Sequence, residues 1–235
     1  MVARAQPDGY TLLINSNAHS VNPAIYAKLP YDTTKDFTDI APLTESPNVL
    51  VVGADSRFKT LADFVSHAKA NPGKINFGHA GVGSRTHLNT VKLVTAAKID
   101  VTQVPFKGTP EVVAAILSNN VDAYWAPISA GVSQIKAGKL RALAVSSARR
   151  SPLLPDLHTT AEAGVKGADF ALWFGVWGPA GMPADLVNRI NTDVRRALAD
   201  PGVKEKLANT GNVALDMSPQ EFAKFVRSEM EDYQR

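Results

Sequence analysis

FGHAGVGSRTHLNTVKLV, residues 77 to 94, decides the fold class of this chain. It begins in an apolar strand and ends in a helix that carries leucine and valine on one face. Gly81 and Gly83 stand between the two elements. A strand that passes through a short glycine loop into a helix is a building unit of α/β proteins.

The same alternation extends outward from this stretch. From residue 48 to residue 147, five strand-like segments alternate with four helix-like segments. The first strand, 48–53, is apolar throughout, as a strand covered on both faces is. The order predicts an α/β fold with a largely parallel sheet. Two more amphipathic helices are expected at 182–202 and 218–235.

The N-terminal part has a different character. We expect a strand at residues 10–15 and a long polar loop at 16–37. The opening residues VARAQ have the composition of a helix end without its beginning. Two interpretations stay open: an upstream strand and helix are missing, or the N-terminus is short and frayed.

Two passages of the chain between lobes are predicted, near residues 53–58 and 147–152. They give a discontinuous first lobe, residues 1–53 plus 151–235, and a second lobe, residues 54–150. Such an arrangement leaves a cleft, and small-molecule sites favour the interfaces between domains.

Composition excludes several classes of protein. The net charge is +3 with dispersed basic residues, so a nucleic-acid-binding face is not indicated. The chain has no cysteine, which excludes disulfides and thiolate metal sites. No apolar run approaches the length of a membrane span, no signal peptide opens the chain, and the histidines show no metal-ligand spacing.

The glycine loop has the form of an anion site. Glycine allows close approach of the backbone, and the first N–H groups of a helix lack intrahelical partners. Ser84 can cap the helix or donate its hydroxyl to an anion. The alternative is that Gly81 and Gly83 only form a tight turn. A phosphate-binding loop is not indicated because its lysine is absent, and the dinucleotide pattern fails because its third glycine is absent.

A second strand end repeats the pattern. Lys107 and Gly108 precede a helix that we expect Thr109 to cap, with Pro110 at its first position. In a parallel sheet such loops gather at the carboxyl ends of the strands, where ligands bind. Two helix N-termini would then face one spot.

Several motifs in order carry a family resemblance: GHAGVGSRTHL, VPFKGTPEVVAAIL, VDAYWAP, IKAGKLRALAVSSARR, LPDLHTTAEAG and GPAGMPADLVNRIN. With these motifs the chain resembles the Bug family, the periplasmic receptors of tripartite tricarboxylate transporters, from about Pro7 to the C-terminus. The resemblance implies a two-lobed, type II periplasmic binding protein fold, in which each lobe is a mixed, mostly parallel sheet flanked by helices. It also implies capture of a small organic acid without catalysis or cofactor, periplasmic localisation, and membrane permease subunits as partners.

The resemblance also implies which positions hold the ligand carboxylate. They are the first-lobe residues Asn15, Ser16, Asn17 and Ala18, and the second-lobe residues Gly81, Gly83, Ser84, His87, Lys107, Gly108, Thr109 and Asp122.

One departure from the family is that its members usually begin with a further strand, loop and helix. The expected consequence is an exposed strand edge, which invites swapping or dimerisation.

Other interpretations remain at this point. Ser84 and His87, with Asp122, resemble a nucleophile, its base and an orienting carboxylate, which would make a hydrolase. A ligand sensor or scaffold could reuse the fold without transport. Trp125 and Trp173 either pack in the core or form an aromatic wall against the ligand, and Asp122 either receives a ligand amine or fixes a loop. The ligand class (dicarboxylate, tricarboxylate, aromatic acid or amino acid) is left open.

Overall fold

The computed structural model describes residues 1–233 and divides them into two compact units. Unit 1 comprises Met1–Glu45, Leu172–Leu207 and Val213–Arg235. Unit 2 comprises Ser46–Ala171 and Ala208–Asn212. Each contains a sheet flanked by helices, which confirms the predicted α/β class.

Unit 2 contains five strands and four complete helices. Its elements are β3 (Asn48–Gly53), α2 (Leu61–Ala70), β4 (Asn76–His79), α3 (Arg85–Ala97), β5 (Thr102–Pro105), α4 (Thr109–Leu117), β6 (Ala123–Pro127), α5 (Ile128–Lys136) and β7 (Leu140–Val145). The strand order in the sheet is β5-β4-β6-β3-β7.

The expectation of a mostly parallel sheet is wrong for unit 2, because this sheet is evenly mixed. β4 lies parallel to β5 and β6, whereas β3 runs antiparallel to β6 and β7. The alternation of strands and helices orders the elements along the chain but does not fix the direction of each strand. Here the chain enters the sheet through β3, between β6 and the edge strand β7, in the opposite direction to β4 and β6.

Apolar packing on both faces of this sheet explains why its strands are apolar throughout. On one face Phe77 and Trp125 of the strands are buried in a cluster with Phe64 of α2 and with residues of α3. On the other face Tyr124 is buried in a cluster with Val112 of α4. Strands covered on both faces have no polar alternation.

Unit 1 has a four-stranded sheet in the order β1-β8-β2-β9. Its elements are a 3₁₀ turn (Val2–Arg4), β1 (Leu13–Ser16), α1 (Ala18–Ile25), β2 (Phe37–Ser46), β8 (Leu172–Pro179), α6 (Ala184–Ala199), α7 (Pro201–Asn209), β9 (Val213–Ala214) and α8 (Pro219–Tyr233). The last two residues of the predicted helix 218–235 lie outside the described residues. Phe222 of α8 is fully buried against Trp173 and Trp177 of β8, with ring centroids 5.8 and 5.4 Å apart.

Two elements contradict the sequence-based expectations for the N-terminal part. The predicted loop 16–37 contains α1, and the ten-residue strand β2 was not expected. Pro23 inside α1 and Pro42 inside β2 obscure both patterns, because proline normally interrupts helices and central strands.

The predicted lobe boundaries are also displaced. The units change at residues 45/46 and 171/172, not at 53/54 and 150/151, and residues 208–212 belong to unit 2 again. The reason is that β3, assigned to the first lobe from the sequence, pairs with β6 and β7 of the unit 2 sheet. Residues 151–171 also belong to unit 2, where Phe170 N–H donates to the Ser146 carbonyl at 2.7 Å.

No helix within residues 1–233 is both long and apolar enough to cross a membrane.

Candidate functional site

The glycine loop after β4 takes the backbone conformation that its sequence predicts. Gly81 and Gly83 have φ angles of 105° and 77°, a region that residues with a Cβ rarely adopt. Ser84 is the N-cap of α3, and its Oγ accepts a hydrogen bond from His87 N–H at 3.3 Å. Val82, at the tip of the loop, is 81% exposed. The tight turn and the helix cap are therefore both present.

The chain itself engages some N–H groups of this loop and leaves others unpaired. Gly83 N–H donates to His87 Nδ1 at 3.2 Å, and Ser84 N–H donates to the Gly81 carbonyl at 3.2 Å. For these two groups the expectation of free donors is wrong, because the loop folds back on its own helix. Within residues 1–233, no partner is found for the main-chain N–H groups of Gly81, Val82, Arg85 and Thr86.

Arg85, which follows the cap, is a residue that the sequence reasoning missed. Its guanidinium is half-buried and donates to the Ser46 carbonyl at 3.4 Å. No carboxylate of the described part of the chain forms an ion pair with it, and burial lowers its pKa. The sequence did indicate this residue, because a cation in the first turn of a helix is disfavoured by the helix dipole and therefore suggests a functional role.

Hydroxyl groups lie at the N-termini of both α3 and α4. The Tyr124 hydroxyl of β6 lies 2.7 Å from Thr109 Oγ1, at the start of α4, and the Thr86 side chain of α3 is close enough to act on the pKa of Tyr124. Thr86 Oγ1 accepts from Ala80 N–H at 2.9 Å and lies 3.1 Å from Ser84 Oγ. Burial raises the pKa of Tyr124, so its hydroxyl keeps its proton. The starts of both helices therefore lie near one tyrosine, and α4 is hydrogen-bonded to it.

Two histidines line the same end of β4. The rings of His79 and His87 lie 4.6 Å apart. Burial and the neighbouring His79 lower the pKa of His87, which keeps the ring neutral and lets Nδ1 accept from Gly83. Ser84 Oγ bonds a backbone N–H and Thr86, not the His87 ring. A nucleophile–base pair is therefore not formed here.

The second predicted loop is closed by its own helix. Lys107 is exposed, and its N–H donates to Glu111 Oε2 at 3.1 Å. The N-cap of α4 is Gly108 and not Thr109, so the helix begins one residue earlier than expected. Thr109 is its first residue and Pro110 its second. This shift frees the Thr109 hydroxyl for Tyr124.

Asp122 was placed wrongly by the sequence reasoning. It precedes β6, which lies parallel to β4, and its Oδ2 accepts from Asn76 N–H at the start of β4 at 2.8 Å. The glycine loop follows the other end of this four-residue strand, about 10 Å away at 3.3 Å per residue. Asp122 therefore fixes a strand end and does not face Ser84.

The two tryptophans belong to hydrophobic cores. Trp125 is fully buried beneath the helices of unit 2. Trp173 is 2% exposed in unit 1, and its indole N–H donates to Glu229 at 3.1 Å. The expected aromatic wall is not formed by these side chains, because both face the interior of their own unit.

The unit 1 positions lie at the junction of β1 and α1. Ser16 N–H donates to Asn15 Oδ1 at 2.9 Å, and Ala18 N–H donates to Ser16 Oγ at 3.3 Å. Asn17 N–H donates to the Trp173 carbonyl at 2.9 Å. This is a second strand-to-helix junction, but its own side chains and β8 occupy most of its N–H groups.

Comparison with known proteins supplies the family. The family model described as tripartite tricarboxylate transporter family receptor matches residues 1–235. A relative from Pseudomonas sp. (strain P51), the UPF0065 protein in the tcbD-tcbE intergenic region, is 36% identical over 236 residues, which cover 100% of this chain and 70% of the relative.

Two solved structures are similar over 99% of this chain, each at 32% sequence identity. Rpa4515 of R. palustris with adipate has a TM-score of 0.74, with 78% of that protein covered. MatC (Rpa3494) from Rhodopseudomonas palustris with bound malate has a TM-score of 0.70, with 81% covered. These matches confirm the resemblance read from the motifs: this chain belongs to the tripartite tricarboxylate transporter receptor family.

Proposed function

We propose that this protein is an extracytoplasmic receptor that captures a small organic acid for a tripartite tricarboxylate-type transporter. The observation that carries the proposal is the cluster of unpaired donors at the start of α3. Four main-chain N–H groups lack partners within the described residues. The guanidinium of Arg85, which forms no ion pair with a carboxylate within residues 1–233, belongs to the same helical turn. Unpaired N–H groups and a cation attract a carboxylate.

The chemistry of the relatives supports an acid as the ligand. The solved structures named above hold adipate and malate, which are dicarboxylates. In this chain, one carboxylate would accept from the N–H groups of Arg85 and Thr86 and pair with the guanidinium. The residues Asn15 to Ala18 of unit 1 and closure of two lobes on the ligand stay predictions. Permease subunits as partners, a periplasmic location and dimerisation through a strand edge also stay predictions.

The test is a binding panel on the whole chain, with dicarboxylates, tricarboxylates, aromatic acids and amino acids measured by thermal shift and calorimetry. A ligand at about 100 times its Kd stabilises the folded state by about 2.7 kcal/mol. We expect an acid to raise the melting temperature and the corresponding uncharged amide to leave it unchanged. If no acid shifts a well-folded sample, the proposal is wrong.

A matched pair of variants then tests Arg85. Arg85→Gln should weaken binding by about tenfold to a hundredfold, because a hydrogen bond to a charged group contributes about 1.5–3 kcal/mol. Arg141→Gln is the control: Arg141 is also half-buried and donates to the carbonyls of Ser56 and Phe58, at the opposite edge of the sheet. Equal losses in both variants would refute a direct role for Arg85.

Hydrolysis by Ser84 is the second candidate, and the geometry does not favour it. The serine hydroxyl caps α3, the His87 ring accepts from Gly83, and Asp122 lies at the other end of β4. Turnover of an activated ester that disappears in Ser84→Ala would reopen this possibility.

A further inference from the structure

A fully buried polar network connects α3 with the start of β3. Asn48, Asn89 and Ser146 are each 0% exposed. Asn48 Nδ2 donates to Asn89 Oδ1 at 2.5 Å, and Asn89 Nδ2 donates to the Phe170 carbonyl at 2.7 Å. Asn48 N–H donates to Ser146 Oγ at 2.9 Å, and Phe170 N–H donates to the Ser146 carbonyl at 2.7 Å. The four residues form one connected set, which we call the asparagine network.

The positions of these residues in the chain give the network its significance. Asn48 is the third residue of unit 2 after the chain enters it, and Phe170 is the last but one before the chain returns to unit 1. Asn89 lies on α3, five residues after the Ser84 cap, or about one and a half helical turns. The network therefore connects the helix of the candidate site to the two passing segments at the 45/46 and 171/172 boundaries; the chain also changes unit at 207/208 and 212/213.

The energetics favour a role in fixing geometry. A buried amide group is destabilising when it lacks a hydrogen-bond partner, so the bonds among these residues favour the one arrangement of α3 and β3 in which they form. Apolar side chains could fill the same space without that requirement. Asn48 Oδ1 has no partner in the described part of the chain, so stability alone does not account for the network.

We propose that Asn89 is a positioning residue for the candidate site. Through Asn48 and Phe170 it sets the position of α3, and with it the N–H groups of Arg85 and Thr86, relative to the two passing segments. A displacement of either segment is thereby transmitted to the glycine loop. The effect on binding rests on the proposed function, whereas the effect on the loop does not.

The test compares two buried asparagines. Asn191 of α6 is 3% exposed and donates from Nδ2 to the carbonyls of Ile40 and Met217, so Asn191→Ala removes a similar pair of bonds from unit 1. Hydrogen exchange is followed in the peptide covering residues 80–88. Its protected N–H groups include those of Gly83, Ser84, His87 and Leu88. We expect at least tenfold faster exchange in Asn89→Ala and no change in Asn191→Ala.

Unchanged exchange in Asn89→Ala, or equal acceleration in Asn191→Ala, would overturn the proposal. If Asn89→Ala does not fold, Ser146→Ala is measured instead, because it removes only one hydroxyl from the network. Unchanged exchange in Ser146→Ala would then overturn the proposal.

Calorimetry with malate and adipate adds the binding measurement at a temperature where all variants are folded. If the wild type binds one of them, its Kd should rise at least fivefold in Asn89→Ala and stay within twofold in Asn191→Ala. A Kd unchanged in Asn89→Ala would count against positioning. If the wild type binds neither acid nor any other member of the panel, the proposed function fails, and the exchange measurement alone decides the role of Asn89.

Discussion

His19 should make the stability of the protein depend on pH. It is 2% exposed, and its ring lies 4.3 Å from that of Trp177 and 5.0 Å from that of Phe37. Its Nε2 has no hydrogen-bond partner within residues 1–233. Burial disfavours the charged ring and lowers the pKa of His19 from 6.5 to about 4.

The sign and size of the effect follow from proton linkage. Between pH 6.5 and pH 4 the unfolded chain binds a proton at His19 and the folded chain does not, so the free energy of unfolding falls as the pH falls. Above pH 6.5 His19 is neutral in both the folded and the unfolded chain, so this loss of unfolding free energy is absent there. At about 1.36 kcal/mol per pKa unit, the depression of His19 corresponds to a total loss of about 3 kcal/mol at low pH.

The assay is urea denaturation at pH 7.5 and pH 4.5. We expect the wild type to lose about 2–3 kcal/mol more than His19→Leu between these values, because leucine removes this titration and leaves the carboxylates to titrate in both proteins. His158→Leu, at an exposed histidine, is the control and should keep the wild-type dependence. A pH dependence of His19→Leu that equals that of the wild type would refute the reasoning.

Two further predictions concern packing and backbone. Phe222→Ala should lower the free energy of unfolding by about 3–5 kcal/mol, because it leaves a cavity against Trp173 and Trp177. Phe225→Ala, at a partly exposed position, should lower it by less. Equal losses for the two variants in denaturant titrations would contradict this. Gly83→Ala should cost about 1–2 kcal/mol from its positive φ alone, since no atom lies within 4 Å of the added Cβ. An unchanged unfolding midpoint would show that the loop relaxes freely.

Much of the fold could be predicted because its helices and strands carry local signals. Thr60 and Asp63 form a capping box at the start of α2, and Gly81 and Gly83 occupy positions that require positive φ. The direction of β3 and the position of the unit boundaries could not be read from the sequence. They depend on which strands pair across the sheet, and pairing is not a local property.

The candidate site divides in the same way. The cap at Ser84 follows from spacing alone. The importance of Arg85 depends on its forming no ion pair within residues 1–233, which the sequence does not show. The position of Asp122 depends on which end of β6 adjoins the loop. Both facts arise from residues distant in sequence, which no spacing rule connects.

The exposed tip of the glycine loop offers a position for an optical label that would report solute binding if the proposed site is occupied. The native chain contains no cysteine, so Val82→Cys would provide a single thiol for attaching an environment-sensitive dye. Because the Val82 side chain stands in solvent, the label would not disturb the interior of unit 2. Its emission would report any solute that settles on the adjacent N–H groups, without advance knowledge of which acid that is.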